Sequence, residues 1–350
     1  MFDIANRLLS DSKGSAKDKW QTIRSLKKPF SPKPASLKDK EGITRPIEDR
    51  INILAQHYRD VWSTPLPLPL PTSLICEDPA PIPLGPFTLE ELRKAIARLT
   101  VGKSPGPDQV RTDWIKWSSH EFQLLLLQHF NSCFLSSSSP EAWSYSYVIP
   151  IYKGAPKDIS SPESYRPISL CQTLYKLYAS ILQRRLAIGL EDRLRPTQYG
   201  SRQKRSTSQP LTILRRLIDI YERHNDPLYI LLLDWSKAFD SISHESISNS
   251  LLRLGAPESI VQAILSLYQN LTFSVKENSA ISDPLQQLRG VRQGCPLSPY
   301  LFIIVLTVVL HDTQEYYEKN IWTYPISLLC NNTLVGCRIC GRHSCTCPLF

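Results

Sequence analysis

Two acids near the middle of the chain are the first candidates for chemistry. Leu228-Tyr-Ile-Leu-Leu-Leu233 is an unbroken apolar run that ends in Asp234, and Asp240 follows it in Trp235-Ser-Lys-Ala-Phe-Asp240. Such a run is expected to form a strand buried on both faces. A carboxylate at the mouth of that strand can hold a divalent cation, because the core fixes its geometry while its oxygens stay open. Asp240 reads more plainly as the close of a turn. After it comes a helix, expected from about His244 to Leu254 with Ile247, Leu251 and Leu254 inward.

Two further groups carry chemical side chains. Five of the nine cysteines crowd the last 21 positions. There Cys337-x-x-Cys340 with His343 and Cys345 has the donor types of a zinc site. Against that reading, Cys345 and Cys347 stand one residue apart, tighter than knuckle or finger spacings. The other four cysteines fit buried thiols in a reducing compartment. Between Arg166 and Arg223 there are twelve Lys/Arg against four acids, so much of the net charge of +9 sits in one stretch. A surface of that sign favours an acidic partner such as nucleic acid, though a solvated basic helix face would look the same.

The elements that must position these groups begin with a basic, Ser/Lys-rich arm, residues 1–34, read as a helical linker. Ile51 to Trp62 has the apolar spacing of a short amphipathic helix. Thr64 to Pro86 is too rich in proline for helix or central strand and reads as an extended connector. Thr88 followed by Glu91 makes a capping box, and Leu89, Leu92, Ile96 and Leu99 then line one helical face up to Gly102. Beyond it, helices mix with short β runs at Tyr147–Tyr152, at Leu228–Leu233 and in a weaker pair flanking Asp283. The pattern is α+β rather than a regular βαβ alternation. Apolar residues at 42% and charged residues at 21% are an ordinary globular mix. The apolar run Tyr300–Leu310 is too short to span a bilayer and residues 1–9 lack a signal-type apolar core, so the expectation is a soluble intracellular protein without a membrane partner.

Five segments, in order, resemble the reverse transcriptases of non-LTR (LINE-type) retrotransposons: KSPGPD (Lys103–Asp108), VIPIYKG…SPESYRPISL (Val148–Leu170), LRPTQYGSRQKRSTSQPL (Leu194–Leu211), LLLDWSKAFDSISHESI (Leu231–Ile247) and GVRQGCPLSPYLFIIVL (Gly290–Leu306). The resemblance covers roughly residues 87–320. It implies a right-hand fingers–palm architecture with an incomplete palm, and RNA-templated DNA synthesis with a DNA primer or target, dNTPs and Mg2+ (Mn2+ as substitute), in nucleus or cytoplasm. It makes Asp234 the catalytic metal ligand, with the Trp235 carbonyl as a further oxygen. Lys153 (or Lys157) and Arg166 match the cations that meet the triphosphate, Arg being suited to forked contacts. Phe239 matches the ring beneath the nucleotide sugar, where it would exclude a 2′-OH. Gln293 and Gly294 match the turn that meets the nucleotide. Gln198, Gly200, Arg202, Lys204 and Arg205 match a turn that grips the template backbone.

Two-metal phosphoryl transfer needs carboxylates from more than one strand. The family supplies them in a Tyr-x-Asp-Asp turn, which these 350 residues lack; no acid follows Ile321. Shifted by one nucleotide, codons permitted for Ile339–Cys345 read Tyr-Ala-Asp-Asp-Thr-Leu. The expected organisation is therefore an arm at 1–63, a proline-rich connector at 64–86, fingers and partial palm at 87–320, and a tail at 321–350 that is out of frame or disordered. The alternative is a nucleic-acid-binding module with a zinc-binding tail.

Overall fold

The computed structural model describes residues 36–63, 71–320 and the backbone of two short strands, 326–327 and 337–338. The expected N-terminal linker helix, and the Cys340, His343 and Cys345 positions of the zinc reading, lie outside the described residues.

In chain order the elements are α1 (Arg50–Ser63), α2 (Leu89–Ala97), α3 (Thr112–Lys116), α4 (His120–Leu135), β1 (Tyr145–Tyr152), β2 (Tyr165–Leu170), α5 (Thr173–Leu190), α6 (Ser208–His224), β3 (Tyr229–Ile230), α7 (Ala238–Ser241), α8 (His244–Arg253), α9 (Glu258–Leu265), β4 (Thr272–Glu277), β5 (Ala280–Ile281), β6 (Leu285–Gln286), α10 (Ser298–Asn320), β7 (Ile326–Ser327) and β8 (Cys337–Arg338). This is the α+β mixture read from the sequence. Residues 71–86 form neither helix nor strand, as proline dictates. No helix among the described residues is long and apolar enough to cross a membrane.

The main sheet runs β2-β1-β4-β5, with β6 also on β4. β1 is antiparallel to β2 and parallel to β4, so hairpin and downstream strand form one surface. The larger core lies among α2, α4, α5, α8, α9 and α10, with Tyr175, Tyr178, Leu182, Ile247, Leu251 and Leu301 fully buried. A smaller core joins α1 to the sheet through Leu54, Tyr58 and Trp62 against Val148, Phe273 and Val275.

Local signals produced the expected pieces. Thr88 accepts from the Glu91 amide (3.2 Å) while Glu91 accepts from the Thr88 amide (2.8 Å), which closes both ends of the capping box. That helix ends at Ala97 rather than at Gly102; Gly102 turns the chain with φ +70. In α8, Ile247 and Leu251 face the core as expected, with Leu254 just beyond it.

One expectation fails. Leu228–Leu233 is not a buried strand: only Tyr229–Ile230 pairs, antiparallel to Cys337–Arg338, and Leu231, Leu232 and Leu233 are 58%, 62% and 40% exposed. The apolar run has strand character, but β3 belongs to a separate small sheet of two-residue strands, and among the described residues no layer covers its face.

Candidate nucleotide and template site

The β1–β2 register places Arg166 opposite Ile151, and Lys153 follows β1 by one residue. Residues paired across an antiparallel ladder share a face, as do residues two apart, so the two cations project to the same side. Lys153 is tethered there: its amide donates to Ser164 O (2.9 Å) and its ammonium to Glu163 O (2.6 Å). Burial lowers the Lys153 ammonium from its ordinary value; Arg166, Lys157 and Lys237 push the same way, while Asp240 opposes them. Four cations and one buried acid thus share a neighbourhood. Such a cluster stores repulsion that a polyanion relieves.

The bend at Gln293–Gly294 docks along the edge of the same hairpin's second strand that faces away from β1. Ser169 N donates to Gln293 O (2.7 Å). Gly294 has φ +133, and a Cβ there would lie 2.5 Å from Ser169 O, so only glycine lets the two backbones meet. Arg292, just before it, is buried and spent: it donates to Trp143 O (2.7 Å) and to Ser144 O, with its guanidinium over the Tyr175 ring. KSPGPD is likewise a docking turn, since a Cβ on Gly106 would stand 2.7 Å from the Cys171 backbone at the end of β2.

Asp240 does not simply close a turn. It is 6% exposed, and its carboxylate accepts from Trp62 Nε1 (3.2 Å) and from Gln293 Nε2 (3.2 and 3.1 Å). Burial raises its carboxyl from the ordinary aspartate value, while the Trp62 and Gln293 hydrogen bonds and the charges of Lys237 and Lys153 pull it back. Gly290 lets this junction close: a Cβ would meet Asp240 O at 3.0 Å and Trp62 Cδ1 at 3.2 Å, at φ +83. Sequence reading missed Asp240 and Trp62 because their partners are 178 and 53 residues apart along the chain. A second acid six positions after Asp234, just before a helix start, was the available signal.

Asp234 and Trp235 are exposed, on the uncovered segment after β3. A divalent cation needs several oxygen ligands. Among the described residues the one group of three metal-capable side chains within reach of each other is His311, Asp312 and Glu315, and Arg253 holds Asp312 there at 2.7 and 2.6 Å. Asp234 belongs to no such group, so the described residues do not complete a cation site around it. Phe239 is half-buried and stacked on Phe302 of α10 (centroids 5.2 Å, 23°), and its carbonyl accepts from Val291 N (2.8 Å). It therefore stands beside the bend. Between Trp235 and Phe302, Val305 and Val309 an apolar cavity of about 360 Å3 stays open.

The basic turn divides. Gln198 is buried, with Nε2 on Gly200 O (3.2 Å), and Gly200 is half-buried. Arg202 is consumed by Glu191 (2.8 Å) and the carbonyls of Glu191, Arg195 and Gln198. Lys204 and Arg205 remain exposed, Arg205 over the Tyr199 ring. Two of the twelve cations upstream are also structural: Arg185 and Arg193 donate to carbonyls of the proline-rich connector.

Residues 153–325 match the family described as reverse transcriptase (RNA-dependent DNA polymerase). The chain is 29% identical over 306 residues to a probable RNA-directed DNA polymerase from transposon BS of Drosophila melanogaster, covering 81% of this chain and 32% of that protein. It is 29% identical over 268 residues to the Pol polyprotein of the type-2 retrotransposable element R2DM of the same fly (74% and 24%), and 28% over 228 residues to the RNA-directed DNA polymerase of its mobile element jockey (64% and 24%). The chain thus spans a third or less of each of these relatives. The matched segment begins at Lys153 and takes in the end of the β1–β2 hairpin, Asp234, Asp240 and the Gln293–Gly294 bend, and residues 153–325 thereby belong to the reverse transcriptase family, with relatives among the RNA-directed DNA polymerases of non-LTR retrotransposons.

Proposed function

We propose that this chain is the fingers and part of the palm of a non-LTR retrotransposon reverse transcriptase, and that it holds template–primer and dNTP without extending a primer by itself. The observation that carries the reading is the docking of Gln293–Gly294 onto β2, beside the face that bears Lys153 and Arg166. That arrangement joins cations for a triphosphate to a polar side chain for the nucleoside, the pair a nucleotide site needs. Lys204 and Arg205 are the free members of the template turn, and Phe239 is the ring proposed to meet the sugar. The substrates are an RNA template, a DNA primer or target end and dNTPs, met in the nucleus or cytoplasm.

Reverse transcriptases work with divalent metal ions, and Mg2+ is the proposed one. Two-metal transfer needs acids from several strands, whereas among the described residues Asp234 joins no group of three metal-capable side chains. The exposed face of Leu231–Leu233 and the open cavity under Trp235 fit a palm that lacks its remaining layer. The family match also ends at residue 325, close to Ile321, where the proposed frame change begins.

Two experiments decide these points. In filter binding, an RNA–DNA template–primer is expected to bind with an affinity that falls steeply with salt, and Lys204→Ala with Arg205→Ala to reduce the salt slope by about 2. Affinity independent of salt would refute the nucleic-acid surface, and primer extension in Mg2+ or Mn2+ would refute the missing-acid account. In the coding DNA, the codons of Ile339–Cys345 are expected to read Tyr-Ala-Asp-Asp-Thr-Leu in the shifted frame; codons that forbid that peptide remove the frame change. One tightly held zinc ion per purified chain would instead support the zinc-tail module.

A further inference from the structure

The family match starts at residue 153, yet α1, some ninety residues earlier, is bonded into the site. Trp62 is 1% exposed, set edge-on to Phe273 (4.7 Å, 89°) and stacked on Tyr58 (5.7 Å, 27°). With its ring so fixed, its one N–H has a single direction, toward Asp240 Oδ1. The backbone closes the same junction: Leu288 N donates to Trp62 O (3.0 Å) and Arg289 Nε to Val61 O (2.7 Å). One turn earlier on α1, burial and the charge of Lys237 push the His57 imidazole down to about 4, so it stands neutral beside the cation cluster at physiological pH.

Asp240 receives two donors at this point, and the second is informative. A glutamine amide has a donor end and an acceptor end that are otherwise interchangeable in shape. An ionised carboxylate only accepts, so it admits the NH2 end of Gln293 and rejects the oxygen. The Gln293 carbonyl oxygen is thereby turned to the other side of Cδ, away from Asp240.

We infer that Asp240, itself aimed by Trp62 of α1, is a positioning residue that fixes the Gln293 amide with its acceptor toward the nucleotide. The inference rests on the nucleotide-site reading proposed above and deepens it. A fixed acceptor favours a ligand that presents a donor to it; the 3′-OH is the sugar's donor on a deoxynucleotide, and it is the one that 3′-deoxy-dTTP lacks. Neither Asp240 nor Trp62 touches the ligand; both act through Gln293.

The test uses the full chain, with dTTP and 3′-deoxy-dTTP as probes in equilibrium dialysis. The unmodified chain is expected to favour dTTP by about tenfold, the range of one hydrogen bond to a fixed acceptor. Asp240→Asn offers an amide that accepts either end of Gln293, and the preference is expected to fall below about twofold. Trp62→Phe keeps the ring and removes the N–H; it is expected to lose part of the preference, about threefold. Thermal unfolding shows whether each variant keeps its fold. If Asp240→Asn unfolds, Trp62→Phe carries the comparison, and an unchanged preference in that variant would overturn the inference. Asp240→Asn with the original discrimination would overturn the inference.

If the unmodified chain binds neither probe, the nucleotide-site reading fails, and a second measurement still decides the positioning. The Gln293 side-chain amide protons, assigned by their absence in Gln293→Ala, are expected to exchange with water at least about tenfold faster in Asp240→Asn. Unchanged exchange would show that Asp240 does not hold the amide.

Discussion

Gly294→Ala is expected to lower the unfolding free energy by about 3–5 kcal/mol and to abolish measurable dNTP binding. Two costs add. Alanine at φ +133 sits in a region reserved for glycine, at about 1–3 kcal/mol. Its Cβ would also lie 2.5 Å from Ser169 O, a backbone atom that cannot rotate aside. Relief requires the bend to leave β2, which breaks the 2.7 Å bond from Ser169 N to Gln293 O and leaves a buried donor unpaired, at about 1–3 kcal/mol. Gly102→Ala separates strain from collision, since Gly102 has φ +70 but open space around it. That variant is expected to cost about 1 kcal/mol with binding unchanged. Urea unfolding and dialysis against dNTP read both effects. Equal costs at the two glycines would mean that the bend does not depend on contact with β2.

The contrast between these glycines explains what the sequence could and could not disclose. A glycine needed for a turn announces itself locally, and so do Thr88 with Glu91 and the spacing of Ile247 and Leu251. Each is settled by residues within one or two turns of chain. The need for Gly294 depends on Ser169, more than a hundred residues away, and only the family resemblance pointed to it. Burial of Leu228–Leu233 is a property of whatever covers it, and an apolar run carries no information about whether that layer exists. Arg202 looked free because its neighbours in sequence are basic; in the fold Glu191 and three carbonyls surround it. Asp240 was misread for the same reason. Its short, turn-like context was visible, whereas the indole and amide that give it a purpose come from α1 and the Gln293 bend.

Arg185→Met is expected to cost about 3–5 kcal/mol, because it strands a carboxylate and three carbonyls that one guanidinium now satisfies. Residues 71–86 of the connector form no helix or strand, so the carbonyls of Pro83, Gly85 and Pro86 have no ladder to join. Arg185 reaches them at 3.1, 2.6 and 2.9 Å, pairs with Glu91 at 2.7 Å, and lies over the Phe87 ring. Methionine replaces the apolar stem but none of the five donors. Burial alone would raise the Glu91 carboxyl; the Arg185 and Thr88 hydrogen bonds outweigh it and hold it below the ordinary glutamate value. A depressed acid stabilises the fold above its unfolded pKa and loses that contribution as pH falls through the folded one. The gap between Arg185→Met and the unmodified chain is therefore expected to be widest at neutral pH and to narrow below about pH 4. Arg184→Met is the control: the Arg184 guanidinium is pushed down by burial and by Arg98, so its removal relieves repulsion and is expected to change stability by about 0.5 kcal/mol or less. Denaturant unfolding of the three proteins at pH 7 and pH 4 measures these differences. A pH-independent gap would place the cost in the stranded carbonyls and the lost packing on Phe87 rather than in the Glu91 pair, and a loss no larger than that of Arg184→Met would mean that the connector holds its course without Arg185.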